Sequence, residues 1–202
     1  MKDSILIALK FVVAVLLLPV VIASTVALNG QVMAVTDGLQ QKLWLGLLSY
    51  LVLKFFVYDF MHVYQFGQGI VTFCFQFLKP LVNAAPFVIP IYTVLVLIAY
   101  AIVSALGKMT LPVQGYFFMV LAFTFAMHII LTAQALYTKD TAVGKPTYFF
   151  SMQLIYIVDV FLIALVMNAA LPAFHFVDFF KTLGSVSYDI YRAVFTQLFG
   201  IR

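Results

Sequence analysis

The sequence predicts an all-α integral membrane protein with about five transmembrane helices and a C-terminal amphipathic interfacial helix. Of its 202 residues, 65% are hydrophobic and only 9% are Asp, Glu, Lys or Arg, whereas charged residues make up roughly 25% of a soluble domain. The mean hydropathy is +1.14. All seven acidic residues are Asp. Because Glu is common on exposed helix surfaces, its absence indicates that little helical surface faces water.

Five apolar stretches are long enough to cross the membrane, whose hydrocarbon core of roughly 30 Å takes about 20 helical residues. They cover residues 5–28, 43–64, 86–106, 115–136 and 148–171. Glycine and proline residues punctuate the intervals between them, as expected at helix ends. Helices are expected because lipid offers no hydrogen-bond partners to free backbone groups. We therefore predict a transmembrane bundle over residues 1–172 and an amphipathic helical segment over residues 173–202.

The first stretch has some features of a signal peptide, with Lys2 before it and small residues near its end. Its apolar run is longer than usual for such peptides, and Asp3 and Lys10 make an atypical N-terminal region. We therefore predict a retained signal anchor in a bacterial inner (plasma) membrane. Basic residues divide evenly between the two sides, but discounting Arg192 and Arg202 as distant from the spans favours a cytoplasmic N-terminus.

Residues 67–78 form an apolar stretch that is too short to span the membrane. This stretch either extends the second helix or forms a re-entrant or interfacial piece. Gly67 and Gly69 would permit a break there, and Lys79-Pro80 ends the stretch.

The C-terminal segment, residues 173–202, shows the periodicity of an amphipathic helix. Asp189 and Arg192 fall on one face, three residues apart. The opposite apolar stripe is the predicted partner-binding surface and comprises Leu183, Val186, Ile190, Tyr191, Val194, Phe195 and Leu198. Such a helix either lies on the lipid surface or docks on a protein partner, and both alternatives stay open.

Ionisable side chains inside the predicted spans are candidates for a functional role, because each costs about 2.5–3.5 kcal/mol at the bilayer centre. Lys54 and Asp159 lie near the middle of two antiparallel spans, so we expect that they form an ion pair. Asp59 and His62 share a helix face at a spacing of three residues. Together these four residues form either a structural cluster or a relay for protons or ions.

His62 and His128 are also candidate axial ligands of a haem iron, because they lie on different predicted helices. The alternative for each is a histidine that hydrogen-bonds a neighbouring carbonyl group in a helix interface. The single cysteine, Cys74, excludes an intrachain disulfide and a cysteine-based metal site. Apart from haem, we predict no cofactor and no metal.

No enzyme motif is present in the sequence, and the basic residues form no cluster that would bind nucleic acid. We therefore predict a non-catalytic scaffold or channel subunit of a larger membrane complex, such as a secretion, conjugation, motor or respiratory assembly. Its expected partners are membrane lipid, other membrane subunits and further copies of itself. One alternative is an ion- or proton-coupled transporter using Lys54, Asp59 and Asp159. Another is a haem- or quinone-binding redox subunit using His62 and His128.

Overall fold

The computed structural model describes residues 2–78, 82–140, 146–171 and 174–200. Within these ranges every regular element is a helix, which confirms the all-α class. The helices are α1 (Lys2–Met33), α2 (Asp37–Phe56), α3 (Met61–Cys74), α4 (Ala85–Val88), α5 (Ile91–Ala105), α6 (Leu111–Asp140), α7 (Pro146–Ala170) and α8 (Phe176–Phe199). The predicted stop at Lys79-Pro80, the predicted domain boundary at residues 172–173, and Arg202 lie outside the described residues.

Three helices are long and apolar enough to cross a membrane: Ser4–Met33, Leu111–Thr138 and Thr147–Ala170. They correspond to the first, fourth and fifth predicted spans, and they support a membrane-embedded protein. The first and fourth extend beyond their predicted bounds by one to five residues at each end, and the fifth matches its predicted bounds to within one residue.

The predicted second span, residues 43–64, is not a continuous helix. Helix α2 ends at Phe56, α3 begins at Met61, and the two are bent by 117°. The break at residues 57–60 contains neither glycine nor proline, so the usual helix-breaker signal could not reveal it. Helix α3 instead continues through Gly67 and Gly69 to Cys74, so the break that these two glycines would permit does not occur there.

The predicted third span, residues 86–106, is also divided. The short α4 ends at Val88, and Ile89 is extended, with φ −97° and ψ 111°. Pro90 explains this, because proline disfavours helical geometry in the residue before it. Helix α5 has 15 residues and is therefore about 22 Å long, shorter than the hydrocarbon core. The count of five spans is accordingly not confirmed.

The chain folds as two compact units. Residues Met1–Val35 and Lys139–Arg202 form the first, here called the terminal unit, and Thr36–Thr138 form the second, the central unit. In the terminal unit α1 packs against both α7 and α8. The central unit is built around a buried cluster of Tyr50, Tyr64, Ala126, Met127 and Leu131.

Two glycines allow close helix packing within the central unit. A Cβ atom at Gly46 of α2 would lie 2.0 Å from the carbonyl oxygen of Met119 in α6. A Cβ atom at Gly67 of α3 would lie 2.6 Å from the ring of Tyr92 in α5. Small residues at helix contacts let backbones approach closely in membrane proteins. The close contacts at Gly46 and Gly67 therefore require a residue without a side chain.

Candidate functional site

The break between α2 and α3 is bridged by an ion pair. Lys54 Nζ lies 2.5 Å from Asp59 Oδ1 and donates a second hydrogen bond to Gln134 Oε1 of α6 at 3.2 Å. The Lys54 side chain is only 13% exposed, whereas that of Asp59 is 63% exposed. The ammonium group is therefore held among protein groups, and the carboxylate lies at the open side of the break.

The two charges match the ends of the helices that carry them. Lys54 lies in the last turn of α2, where the helix dipole favours a positive charge. Asp59 Oδ1 accepts a hydrogen bond of 3.2 Å from the backbone N–H of Met61, the first residue of α3, where a negative charge is favoured. The ion pair thus stabilises both free helix ends and explains how the helix breaks without glycine or proline. His62, in the first turn of α3, is exposed.

His128 occupies a different, buried polar cluster between α3, α4 and α6. It is 4% exposed and is hydrogen-bonded to the backbone of Phe87. Beside it, Tyr64 shares a 2.7 Å hydrogen bond with Thr132 and accepts one of 2.8 Å from Gln68. The histidine therefore bonds a neighbouring backbone at the interface of these helices.

The space beside His128 does not favour the alternative in which His128 and His62 hold a haem. The cavity lined by Tyr64, Gln68 and His128 has a volume of about 10 Å³, which suits a single water molecule. Pockets for ligands of drug or cofactor size have volumes of about 300–1,000 Å³. In addition, His62 is exposed while His128 is buried, so the two imidazoles lie in unlike surroundings.

Asp159 is completely buried in α7 of the terminal unit. It lies near the middle of the candidate span Thr147–Ala170, and its helix neighbours Val160 and Ile163 are also buried. A carboxyl group at this depth is costly to accommodate and is a candidate functional group. The predicted pair of Lys54 with Asp159 stays a prediction, and the ion pair found at Lys54 is with Asp59.

Helix α8 runs antiparallel along α1. The backbone N–H of His175 donates to Gln31 Oε1 at 3.1 Å, and the Tyr191 hydroxyl donates to the carbonyl oxygen of Leu16. Between these two hydrogen bonds, sixteen residues of α8 lie alongside fifteen residues of α1. The two helices therefore run side by side over about 23 Å. A helix lying flat in the interface would cross α1 at one point, so the predicted interfacial position is not confirmed.

The predicted partner-binding stripe on α8 divides into two parts. Leu183, Val186, Ile190 and Tyr191 are partly buried, and the Tyr191 hydrogen bond places this part against α1. Val194, Phe195 and Leu198 are 43%, 49% and 71% exposed. Only the last part of the stripe is therefore open to a partner or to lipid.

The other side of α8, here called the polar face, carries Ser185, Asp189, Arg192 and Thr196, all of them exposed. The hydrogen bond of Tyr191 to Leu16 fixes the level of the polar face along α1. Leu16 lies about 4 Å from the midpoint of the candidate span Ser4–Met33. Asp189 and Arg192 flank Tyr191 in sequence and therefore lie near the same depth.

Sequence reasoning placed Asp189 and Arg192 on one face but did not place that face beside the middle of the candidate span of α1. The 24-residue length of α8, about 36 Å, was the available signal, although α8 is not among the described helices that are apolar enough to count as candidate spans. The candidate functional features are therefore the bridged break, buried Asp159 and the polar face of α8. Comparison of the chain with family models, with curated proteins and with solved structures finds no match.

Proposed function

We propose that this protein is a non-catalytic subunit of a larger assembly in a bacterial inner membrane, where it acts as a scaffold or channel component. The observation that carries the proposal is the polar face of α8, with Asp189 and Arg192 exposed near the middle of the α1 span. A charged side chain costs about 2.5–3.5 kcal/mol at the bilayer centre. Contact with another protein chain removes most of that cost by pairing and hydrogen-bonding both charges.

The contrast with α1 supports the same conclusion. Its exposed side chains at comparable depth are apolar, among them Val15, Leu16 and Leu18, which are 45%, 49% and 37% exposed. These side chains suit contact with lipid tails. Two neighbouring helices of one unit thus present surfaces of opposite character, and only the surface of α8 requires a polar partner.

The direction of α7 supports an odd number of membrane crossings between α1 and α7. Thr25 shares a 2.8 Å hydrogen bond with Tyr156, and Asn168 accepts one from Phe176 at the start of α8, beside Gln31. Helix α7 therefore runs in the same direction as α1. The condition is met if the α2–α3 pair, α5 and α6 each cross once, which together with α1 and α7 makes five spans before α8.

The native mass of the protein tests the proposal. The chain would be extracted gently from its own membrane, its particle mass measured, and the co-migrating proteins identified. We expect a particle much heavier than the 22.6 kDa chain that contains other membrane proteins in a fixed ratio. A particle that holds only one copy of this chain would overturn the proposal.

A second candidate function, an ion- or proton-coupled transporter or channel, is favoured by the bridged helix break. Interrupted helices provide ion and substrate sites in many transporters, and Lys54, Asp59 and Asp159 would supply the charges. Flux through vesicles containing the purified protein tests this function. We then expect Asp159→Asn or Lys54→Gln to abolish flux without reducing assembly. Full flux in both variants would exclude it.

A further inference from the structure

We propose that the polar face of α8 is the contact surface for a second copy of this chain, with Asp189 of one copy paired to Arg192 of the other. This inference deepens the proposed function and depends on it, because it names one partner within the assembly. The surface consists of Ser185, Asp189, Arg192 and Thr196, whose spacings of four, three and four residues are those of a helix-pairing seam.

Charge complementarity identifies the partner. The seam carries one acidic and one basic side chain, separated by three residues and thus by about 4.5 Å along the helix axis. Copies of one chain insert into the membrane in the same orientation, so their α8 helices run parallel at equal depth. Asp189 of one copy then lies less than one helical turn from the level of Arg192 in its neighbour. A second copy therefore supplies both complementary charges at the depth at which they are needed.

The shape of the surface also permits close pairing. A Cβ atom at Gly184, beside the seam, would meet no atom within 4 Å. Ser185 and Ala193 are small and exposed, and small residues let membrane helices approach each other closely. By contrast, Asp178 and Lys181 nearer the start of α8 already pair with each other at 3.1 Å. The requirement for an external partner is therefore concentrated around Asp189 and Arg192.

Charge exchange provides the test. Two differently tagged copies of the full chain would be produced in the same membrane, and recovery of one tag with the other measured after gentle extraction. We expect Asp189→Arg and Arg192→Asp singly to lower co-recovery by at least about tenfold, or 1.4 kcal/mol. The double exchange should restore it. Lys108→Asp, an equal charge change in an exposed loop, is the matched control and should leave co-recovery unchanged.

A cross-link provides a second measurement that needs no charge substitution. With Cys74, the only cysteine, replaced by serine, Ala193→Cys should give a covalent dimer with a short bifunctional thiol reagent. Leu9→Cys on the exposed apolar side of α1 is the control and should stay monomeric. Absence of the Ala193 cross-link, or single charge reversals without effect, would overturn the inference.

The outcomes separate the two proposals. Tagged copies that fail to co-recover while other membrane proteins still co-purify would contradict self-pairing and leave the proposed function standing. A chain that is recovered alone, without a second copy or any companion, would contradict both.

Discussion

Gly46 is a position at which one methyl group decides whether two helices fit together. A Cβ atom there would lie 2.0 Å from the backbone carbonyl oxygen of Met119, and a backbone atom moves aside less readily than a flexible side chain. We expect Gly46→Ala to destabilise the protein by about 1–3 kcal/mol, as overpacked cores do. Thermal unfolding in detergent measures this.

Gly69→Ala is the matched control for Gly46→Ala. Gly69 also lies inside a helix, but a Cβ atom there would meet no atom within 4 Å. Alanine should stabilise such a site by about 0.5–1 kcal/mol, because glycine in a helix loses more conformational freedom on folding. Equal unfolding temperatures for the two variants would contradict the close contact of α2 with α6.

The order of the charges at the helix break is as important as their pairing. We expect the exchange Lys54→Asp with Asp59→Lys to unfold at a lower temperature than the wild type, although the opposite charges are kept. The exchange places a negative charge at the end of α2 and a positive charge at the start of α3, against both helix dipoles. Recovery of wild-type stability would show that the pair alone matters.

Sequence reasoning identified Lys54 and Asp59 as unusual but did not pair them with each other. Residues five apart lie on different faces of a continuous helix, so the assumption of one span over residues 43–64 separated them. The break at residues 57–60 brings them to 2.5 Å. No glycine or proline marks that break, so the sequence did not reveal it. Without the break, the pairing of Lys54 with Asp59 could not be predicted.

At the scale of the element, two side chains fix the start of α8. Gln31 accepts a hydrogen bond from the backbone of His175, and Asn168 accepts one from Phe176. We expect Gln31→Ala and Asn168→Ala each to cost about 1 kcal/mol, as the loss of helix caps does. Faster hydrogen exchange in the first turn of α8 measures this. Asn29→Ala, at an exposed position of α1, is the control. An equal increase of hydrogen exchange in the first turn of α8 in this variant would contradict the role of Gln31 and Asn168.

The helix and the two faces of α8 could be predicted from the spacing of apolar residues, but its direction could not. Its position depends on contacts such as Tyr191 with Leu16, which are 175 residues apart in sequence. No local pattern specifies such a contact. The predicted apolar stripe was therefore open to lipid or to a partner, and its first part instead packs on α1 in the same chain.

At the scale of the whole molecule, the parallel directions of α1 and α7 predict the sidedness of the loops. Because α1 and α7 are candidate spans that run in the same direction, we expect an odd number of crossings between the end of α1 and the start of α7. We therefore expect cysteines introduced at Thr36 and Thr138, in a chain lacking Cys74, to react with an impermeant thiol reagent from opposite sides of the membrane. Labelling of both from one side would contradict the parallel arrangement.

Composition and apolar length were sufficient to predict the membrane class and the three longest candidate spans. The division of the second and third predicted spans was less accessible. Hydropathy averages over a window and does not register the four-residue break at residues 57–60 or the extended residue before Pro90. Buried Asp159 was identified as an ionisable residue within a span, but its complete burial follows from helix packing.

The environment of Ala193 tests the central claim most directly, because this exposed residue follows Arg192 on the outer side of α8. A nitroxide attached at Ala193→Cys in native membranes reports collisions with oxygen, which concentrates in lipid, and with a water-soluble nickel chelate. We predict low accessibility to both reagents, since another protein chain covers this face. High accessibility to oxygen would place the face against lipid, and high accessibility to nickel would place it in water; either result would contradict the account.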